Sequence, residues 1–444
     1  MSSAGEPQLR KALGPVSLWG LGVGYVISGM YFGWNLGLPV AGPFAFLGAT
    51  LLVTILYVCF VLSYAELSCA LPRAGGAFAY AERAFGPTLA FLTGLAQVIE
   101  FAFAPPAIAA GIGAHVNLLF PGVPVLLAAF AVYVVCTALN AWGVQQSAVF
   151  ELVVTALAVA GLLLFAGLAL PRFTWAAFAR DPVAHGRGAA FAALPYAIWF
   201  YLAIEGLANV AEETAHPQRD LPRGFGSAMA TLVALALLTL MAAVGVAGWP
   251  TVVYPPGSSS PSDSPLPLAL GPVTGAAHPL YRAVVVVGVC GLLASFHGIL
   301  LAGGRALFEL GRMGYAPSAL GRLLRRRGTP AVALAVNMIV GMIALCTGRT
   351  GDLITVSVFG ALAMYALAMG ALFALRRRRP ALPRPFRVPL YPWTPALALA
   401  LSLLCLVAVA YYAPGLALAF LAAVAAGYAW FWWAVRTHLL AQRT

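Results

Sequence analysis

Long apolar runs alternate with short polar connections along almost the whole chain. A run of about 20 apolar residues is long enough for one α-helix to cross the hydrocarbon core of a bilayer. Twelve such runs are predicted: Val16–Leu38, Phe44–Ala65, Leu89–Ile112, Val123–Leu139, Val149–Leu170, Ala189–Ala211, Gly226–Trp249, Ala283–Leu307, Ala331–Thr347, Leu353–Leu375, Thr394–Tyr412 and Pro414–Val435. The pattern therefore predicts an all-α membrane protein with twelve transmembrane helices.

The composition excludes an ordinary soluble enzyme. Of 444 residues, 62% are hydrophobic and only 9% are charged, whereas a soluble domain carries about a quarter charged residues. The clearest long connection, Pro250–Pro279, is rich in Pro, Ser and Gly and is typical of a loop. Residues 1–444 are thus predicted to form a single transmembrane domain.

The basic residues predict the orientation of the chain. The net charge is +12, but the Arg residues lie between apolar runs, which is typical of topology signals and not of a nucleic-acid-binding face. If the N-terminus is cytoplasmic, the inner segments hold 20 of the 25 basic residues. We therefore expect both termini inside and a plasma membrane of the bacterial inner type. The clusters Arg325–Arg327 and Arg376–Arg379 either anchor this topology or bind anionic lipid.

No cofactor or metal site is predicted. The six cysteines, Cys59, Cys69, Cys136, Cys290, Cys346 and Cys405, lie in or beside apolar runs without CxxC or Cys/His spacing. The chain also has no HExxH, GxSxG or P-loop motif. These absences argue against a membrane enzyme.

Two of the predicted spans are poor continuous helices. The first contains six glycines, and its stretch Ile27–Gly33 includes Ser28 and Gly29; each interior Gly costs about 1 kcal/mol relative to Ala. The sixth span contains the run Trp199–Gly206, in which the acid Glu205 precedes a Gly. We expect both helices to be interrupted at these points, although the glycines could instead serve close helix packing.

Interrupted helices at corresponding positions of two halves are typical of transporters built from inverted repeats. The repeats are predicted at residues 15–171 and 189–375, followed by two extra helices at 393–435. Unwound backbone is tolerated in a membrane only where it lines a cavity or binds something. Free N–H groups favour an anion and free carbonyls favour a cation, which suits a small zwitterion or an ammonium compound.

Several motifs resemble those of the amino acid–polyamine–organocation superfamily of secondary transporters. These are Ser28-Gly29-Met30-Tyr31, Tyr64-Ala65-Glu66-Leu67 with Pro72-Arg73-Ala74-Gly75-Gly76, the run from Trp199 to Glu205, and Arg305 with Gly311-Arg312-Met313-Gly314 and Pro317. Within the superfamily, the ethanolamine permease branch is similar in Gly24–Gly29, Phe32–Asn35, Glu100-Phe101 with Pro105-Pro106, and Trp199–Gly206.

The resemblance implies a five-plus-five inverted repeat with broken helices 1 and 6 and alternating access around a central site. It implies that Trp199 forms a lid over the substrate. It also implies that Glu205 lies below the substrate site and couples that site to the opening on the cytoplasmic side. Two departures stand out. Ala203 occupies a position where many relatives have Gly, and the helix-five Lys of some proton-coupled relatives is missing, since Lys11 is the only Lys.

Ionisable side chains inside the predicted spans each require an explanation, because a charge at mid-membrane costs about 2.5–3.5 kcal/mol. For Glu100 there are three possible roles: to balance the charge of a substrate ammonium group, to carry a coupling proton, or to serve as a hydrogen-bonded structural acid. Glu205 couples transport to a proton or satisfies freed backbone groups. His297 suits proton transfer or is structural. Glu66 and Glu151 are predicted to pair with loop arginines.

The predicted substrate site combines both breaks. Ser28 and Gly29, with Ile27 beside them, bind a hydroxyl or carboxylate, while carbonyls near Tyr201, Leu202 and Ala203 hold an ammonium with Glu100. Tyr31, Trp199 and Tyr201 supply rings that exclude water or hold a cation, an interaction of about 0.5–2 kcal/mol.

The predicted function is secondary transport of a small amine-bearing solute, ethanolamine or an amino acid, driven by protons or sodium or working by exchange. An amino-acid-specific antiporter, and a channel or non-transporting membrane scaffold, remain as alternatives.

Overall fold

The computed structural model describes residues 13–73, 75–143, 147–180, 188–324 and 327–435. Several residues of the predicted signals lie outside these ranges, namely Arg10, Lys11, Ala74, Arg187, Arg325, Arg326, Arg436 and Arg443.

The described chain is built from α-helices. In the first half they are α1 (Pro15–Val26), α2 (Ser28–Tyr31), α3 (Leu38–Ala70), α4 (Gly76–Phe85), α5 (Pro87–Leu119), α6 (Val125–Trp142), α7 (Ser147–Ala169) and α8 (Trp175–Phe178). In the second half they are α9 (Ala189–Ala192), α10 (Leu194–Ile198), α11 (Pro217–Ala247), α12 (Trp249–Val253), α13 (Pro265–Thr274), α14 (Pro279–Arg312), α15 (Ala331–Leu345), α16 (Thr350–Arg378), α17 (Trp393–Tyr412) and α18 (Pro414–Trp430). Short 3₁₀ segments cover Trp34–Gly37, Leu170–Arg172 and Ile204–Glu213, and a π turn covers Phe431–Val435.

Within the described residues, nine helical stretches are long and apolar enough to cross a membrane. Two further apolar helices, α1 and α15, are shorter. Because apolar helices of this length satisfy all their backbone hydrogen bonds internally, they are stable in lipid. The prediction of an all-helical integral membrane protein is confirmed.

The helices α5, α14 and α16 form the centre of the bundle. Helix α5 packs against both α14 and α16 along much of its length, and it continues as a helix through Pro105 and Pro106. Helix α1 packs against α7, α11 and α14. The outer helices α17 and α18 expose many apolar side chains, as expected for a surface that faces lipid and not water.

A backbone bridge ties the start of α1 to the end of the segment Ile204–Glu213. The Leu13 N–H donates to the Glu213 carbonyl at 3.0 Å, and the Ala215 N–H donates to the Leu13 carbonyl at 2.9 Å. The two elements that the sequence predicts to be interrupted are therefore fastened together at one end of the molecule.

Candidate functional site

The first predicted interruption is present. Helix α1 ends at Val26, and α2 ends at Tyr31. Phe32 is extended, and Gly33 follows with φ of 87°, a left-handed conformation that glycine adopts without steric cost. The helical path is thus disturbed at Ile27, where the N–H still donates to the Val23 carbonyl, and is fully broken at Phe32 and Gly33.

The second predicted interruption is also present. Helix α10 ends at Ile198, and the chain turns from Trp199 to Ala203 before the 3₁₀ segment Ile204–Glu213 begins. Ala203 has φ of 79° and ψ of 7°, which is the left-handed region that a side chain with Cβ rarely occupies.

The two interruptions contact each other directly. Gly29 lies against the backbone of Trp199 and Phe200, so that a Cβ at Gly29 would meet the Trp199 carbonyl oxygen and would lie 3.1 Å from the Phe200 Cα. The Phe32 and Trp199 rings meet edge to face at 5.6 Å. Ser28, Gly29, Trp199, Tyr201, Leu202 and Ala203 are all buried. The structure therefore brings the predicted residues of the two breaks together.

Ser28 is held by the neighbouring helix α14. Its Oγ lies 2.8 Å from Ser295 Oγ, and Ser295 Oγ in turn donates to the Tyr25 carbonyl at 2.6 Å. The Tyr31 hydroxyl has a partner inside the protein, since it donates to the Ala158 carbonyl at 2.7 Å. Ser295 was not identified from the sequence, because a single Ser in an apolar helix carries no signal of its own.

Two carboxyl groups lie next to the second break. Glu100 on α5 and Glu205 are fully buried, and the Glu100 carboxyl lies beside both the Glu205 carboxyl and the Ala203 backbone amide. Within the described ranges, no Arg, Lys or His pairs with either acid. Because an unpaired buried charge is very costly, this acid pair requires a proton or a cation from outside the protein.

Tyrosines complete the surroundings of the acid pair. The Tyr365 hydroxyl on α16 donates to Glu205 Oε2 at 2.8 Å and lies 3.1 Å from the Tyr57 hydroxyl. Tyr201 approaches the same region, with its hydroxyl 2.7 Å from Thr54 Oγ1. Sequence analysis missed Tyr57 and Tyr365; the signal available was a Tyr in an apolar span, whose hydroxyl usually finds a partner when it is buried.

His297 does not join the breaks. Its Nδ1 lies 3.5 Å from Glu151 Oε2, and both side chains are buried. The expectation that Glu151 pairs with a loop arginine is therefore wrong, because helix α7 turns this carboxyl inward towards α14 and not towards the ends of the helices. Glu66, in contrast, pairs with Arg376 and Arg384 and accepts the Val388 N–H at 2.7 Å.

Several of the clustered arginines are held by the protein itself. Arg378 donates to the Ala84 carbonyl at 2.9 Å, and the Arg327 guanidinium lies 4.6 Å from the centre of the Trp142 ring. Arg379, which belongs to the cluster Arg376–Arg379, lines a cavity of about 500 Å³ together with Arg73 and Arg83.

Comparison with known proteins shows which family the chain matches. The family described as amino acid permease matches residues 13–435. The chain is 29% identical to an uncharacterized transporter of Rhizobium meliloti, over 93% of this chain and 89% of that protein. It is 25% identical to the branched-chain amino acid permease BcaP of Bacillus subtilis, over 90% and 88% of the two chains. It is also 25% identical to the methylthioribose transporter of the same organism, over 89% and 87%.

The family match covers both interrupted helices, the acid pair and every long apolar helix described above. This chain is an integral membrane protein that belongs to the amino acid permease family.

Proposed function

We propose that this protein is a secondary active transporter that moves a small amine-bearing solute, an amino acid or ethanolamine, across the plasma membrane by alternating access. The observation that carries the proposal is the buried acid pair, Glu100 and Glu205, which lies beside a broken helix and has no basic partner among the described residues. A solute with an ammonium group supplies the missing positive charge.

The acid pair fixes one end of the solute. Its ammonium group binds near Glu100 and the backbone of Tyr201, Leu202 and Ala203, where the chain leaves regular helical geometry. Carboxylates that pair with an ammonium ion at close range gain electrostatic energy in a site that excludes water. Glu205, held by Tyr365, positions Glu100 and links the site to the segment that follows.

The first break receives the other end of the solute. The backbone at Ser28 and Gly29, with Ile27 beside them, donates to a carboxylate or hydroxyl, which is the usual role of a broken half-helix in a transporter. Because Gly29 lies against the Trp199 carbonyl, the solute must move the two interruptions apart to enter. The Trp199 ring, packed edge to face with Phe32, acts as the lid.

The proposed architecture has twelve membrane crossings, of which ten form two inverted repeats of five helices each and two follow as extra helices. Helices 1 and 6 are the interrupted ones, α1–α2 and α10 with the segment Ile204–Glu213. The 20-to-5 distribution of basic residues supports a cytoplasmic location for both termini. In this orientation the backbone bridge at Leu13 and the ion pair between Arg305 and Glu213 close the inner side.

The acid pair favours a solute with a net positive end, whereas the relatives include transporters named for branched-chain amino acids and for methylthioribose. Uptake into proteoliposomes distinguishes the candidates. Labelled ethanolamine, leucine, serine and arginine are tested with and without imposed proton and sodium gradients, and also against preloaded solute to detect exchange.

We expect saturable accumulation of at least one of these amines above its equilibrium level. Uptake that stays proportional to concentration and never exceeds equilibrium would favour a channel. An absence of uptake for every solute, with correctly folded protein, would favour a non-transporting scaffold.

A further inference from the structure

A second pair of buried titratable side chains lies away from the acid pair. His297 on α14 and Glu151 on α7 are separated by 3.5 Å between Nδ1 and Oε2, and their side chains are 6% and 1% exposed. Among the described residues, neither oxygen of Glu151 nor the Nδ1 of His297 has a hydrogen-bond partner. An isolated carboxylate in this position is very costly. One proton shared between the carboxylate and the imidazole makes the pair neutral and removes that cost.

Among the residues that the structure describes, no other source of positive charge pairs with Glu151. The ionisable groups that face it are Tyr25 from α1 and Cys136 from α6. Arg305 also acts on Tyr25, but in the described part of the chain its ion pair is with Glu213. A further polar contact of this region is neutral: the Asn140 amide donates to the His297 carbonyl at 3.1 Å.

The pair also contacts the interrupted helix α1 directly. A Cβ at Gly24 would meet Glu151 Oε1 and would lie 2.6 Å from Thr155 Oγ1. Thr155 Oγ1 donates to the Gly20 carbonyl at 3.1 Å. Two residues before His297 on the same helix, Ser295 binds both the Tyr25 carbonyl and Ser28. A movement of α1 away from α7 and α14 therefore opens the pair to water.

We infer that Glu151 and His297 together form a proton-binding site that couples transport to a proton gradient. The pair takes one proton from the outer solution, carries it as a neutral unit while α1 moves, and releases it to the inner solution, after which it has a charge of −1. This inference rests on the proposed function. A sodium site fits the geometry less well, because hard cations prefer oxygen ligands and an imidazole nitrogen occupies one side of the pair.

The first test measures proton binding by the Glu151–His297 pair in the absence of transport. Infrared difference spectra of the purified protein in lipid are recorded as the pH is varied, and the C=O band of protonated carboxyl groups is followed. Glu151→Gln removes one pH-dependent band from the wild-type spectrum. His297→Gln keeps that band and changes the pH at which it appears, because two strongly interacting groups titrate as a unit. Asp352→Asn, which changes a partly exposed acid, serves as the matched control.

The second test measures coupling in proteoliposomes, with labelled leucine and ethanolamine as probes. An inward gradient of one pH unit raises accumulation by the wild type up to about tenfold, the limit for one proton per solute. In Glu151→Gln the gradient has no effect on accumulation, while exchange against preloaded probe remains measurable. Folding of each variant is checked by gel filtration, and His297→Gln provides a second variant if Glu151→Gln does not fold.

Either of two results overturns the inference: gradient-driven accumulation that persists in Glu151→Gln, or a wild type driven by sodium and not by protons. If neither probe enters vesicles that contain the wild type, the transport proposal fails for these solutes. The infrared titration then still decides whether the pair binds a proton, because an unchanged spectrum in Glu151→Gln contradicts the site by itself.

Discussion

The hydroxyl of Tyr365 donates a hydrogen bond of 2.8 Å to Glu205 Oε2 and thereby joins helix α16 to the interrupted segment that begins at Ile204. Both side chains are fully buried. Glu205 is also the neighbour of Glu100, so the orientation of the proposed ammonium site depends on a helix from the far end of the sequence.

Tyr365→Phe removes the hydroxyl that donates to Glu205 Oε2, so this buried oxygen loses that hydrogen bond. A hydrogen bond to a charged group contributes about 1.5–3 kcal/mol, so we expect the transport rate at low solute concentration to fall by about tenfold or more. The measurement is initial uptake of labelled solute into proteoliposomes. Tyr411→Phe changes a tyrosine that is 77% exposed and should leave uptake at the wild-type rate. Equal rates in the two variants would contradict a role for the Tyr365 hydroxyl.

Glu100→Gln removes the charge that binds the ammonium group while keeping the shape of the side chain. Truncating one partner of a buried charge pair costs about 2–5 kcal/mol, so we expect uptake of an amine solute to fall at least about tenfold, with a smaller effect on protein yield. Uptake kinetics and the amount of folded protein are measured together. Asp352→Asn is the control. Transport kinetics that match the wild type would exclude Glu100 from the substrate site.

Gly29→Ala tests the contact between the two interruptions. Its Cβ would meet the Trp199 carbonyl oxygen, which is backbone and cannot rotate away, so we expect loss of transport and a lower thermal unfolding midpoint in detergent. Gly48→Ala is the matched control, because a Cβ at Gly48 has no neighbour within 4 Å. Ala is also favoured over Gly in a helix by about 0.5–1 kcal/mol. A Gly29→Ala variant as stable and active as Gly48→Ala would show that the interruptions do not pack as described.

Ala203→Val tests the left-handed turn at the second break. A non-glycine residue in this conformation costs about 1–3 kcal/mol, and a β-branched side chain raises the cost. We expect Ala203→Val to lower the thermal unfolding midpoint, and Ala203→Gly to tolerate the turn and keep transport. Ala422→Val, at an exposed position of α18, controls for the added volume. If Ala203→Val and Ala422→Val unfold at the same temperature, the backbone strain is absent.

The buried carboxyl of Asp263, in the connection between the short helices α12 and α13, leads us to expect that stability depends on pH. Burial raises the pKa of this carboxyl from 3.8 to about 6, although the hydrogen bond from Thr350 at 3.0 Å acts in the opposite direction. A raised pKa means that the folded state binds the proton more tightly than the unfolded state does. The contribution of the protonated Asp263 carboxyl to the stability of the folded state is therefore complete below about pH 4. It is lost as the pH rises through about 6.

Thermal unfolding between pH 4 and 7 checks this dependence. The wild type should lose stability across the interval, and Asp263→Asn should lose less. Identical pH profiles would show that Asp263 does not titrate in this range.

The membrane class, the all-helical fold and the positions of both interruptions could all be predicted from the amino-acid sequence. Hydropathy indicates how long each helix is and whether it is compatible with lipid. Local weakness of a helix is indicated by the glycines of Ile27–Gly33 and by the run Trp199–Gly206. All of these signals act over a few residues, so they can be read along the chain without knowing how the helices pack.

The pairing of the buried ionisable groups became visible only once the helices were packed together. Glu100 and Glu205 were predicted as separate acids, but the packing of α5 against the second break makes them neighbours. Glu151 was expected to pair with a loop arginine, but α7 directs it to His297. Each of these pairs joins positions far apart in the sequence, and a side chain's partner across a helix interface depends on the rotation of both helices. Hydropathy does not encode that rotation, because nearly every face of these helices is apolar.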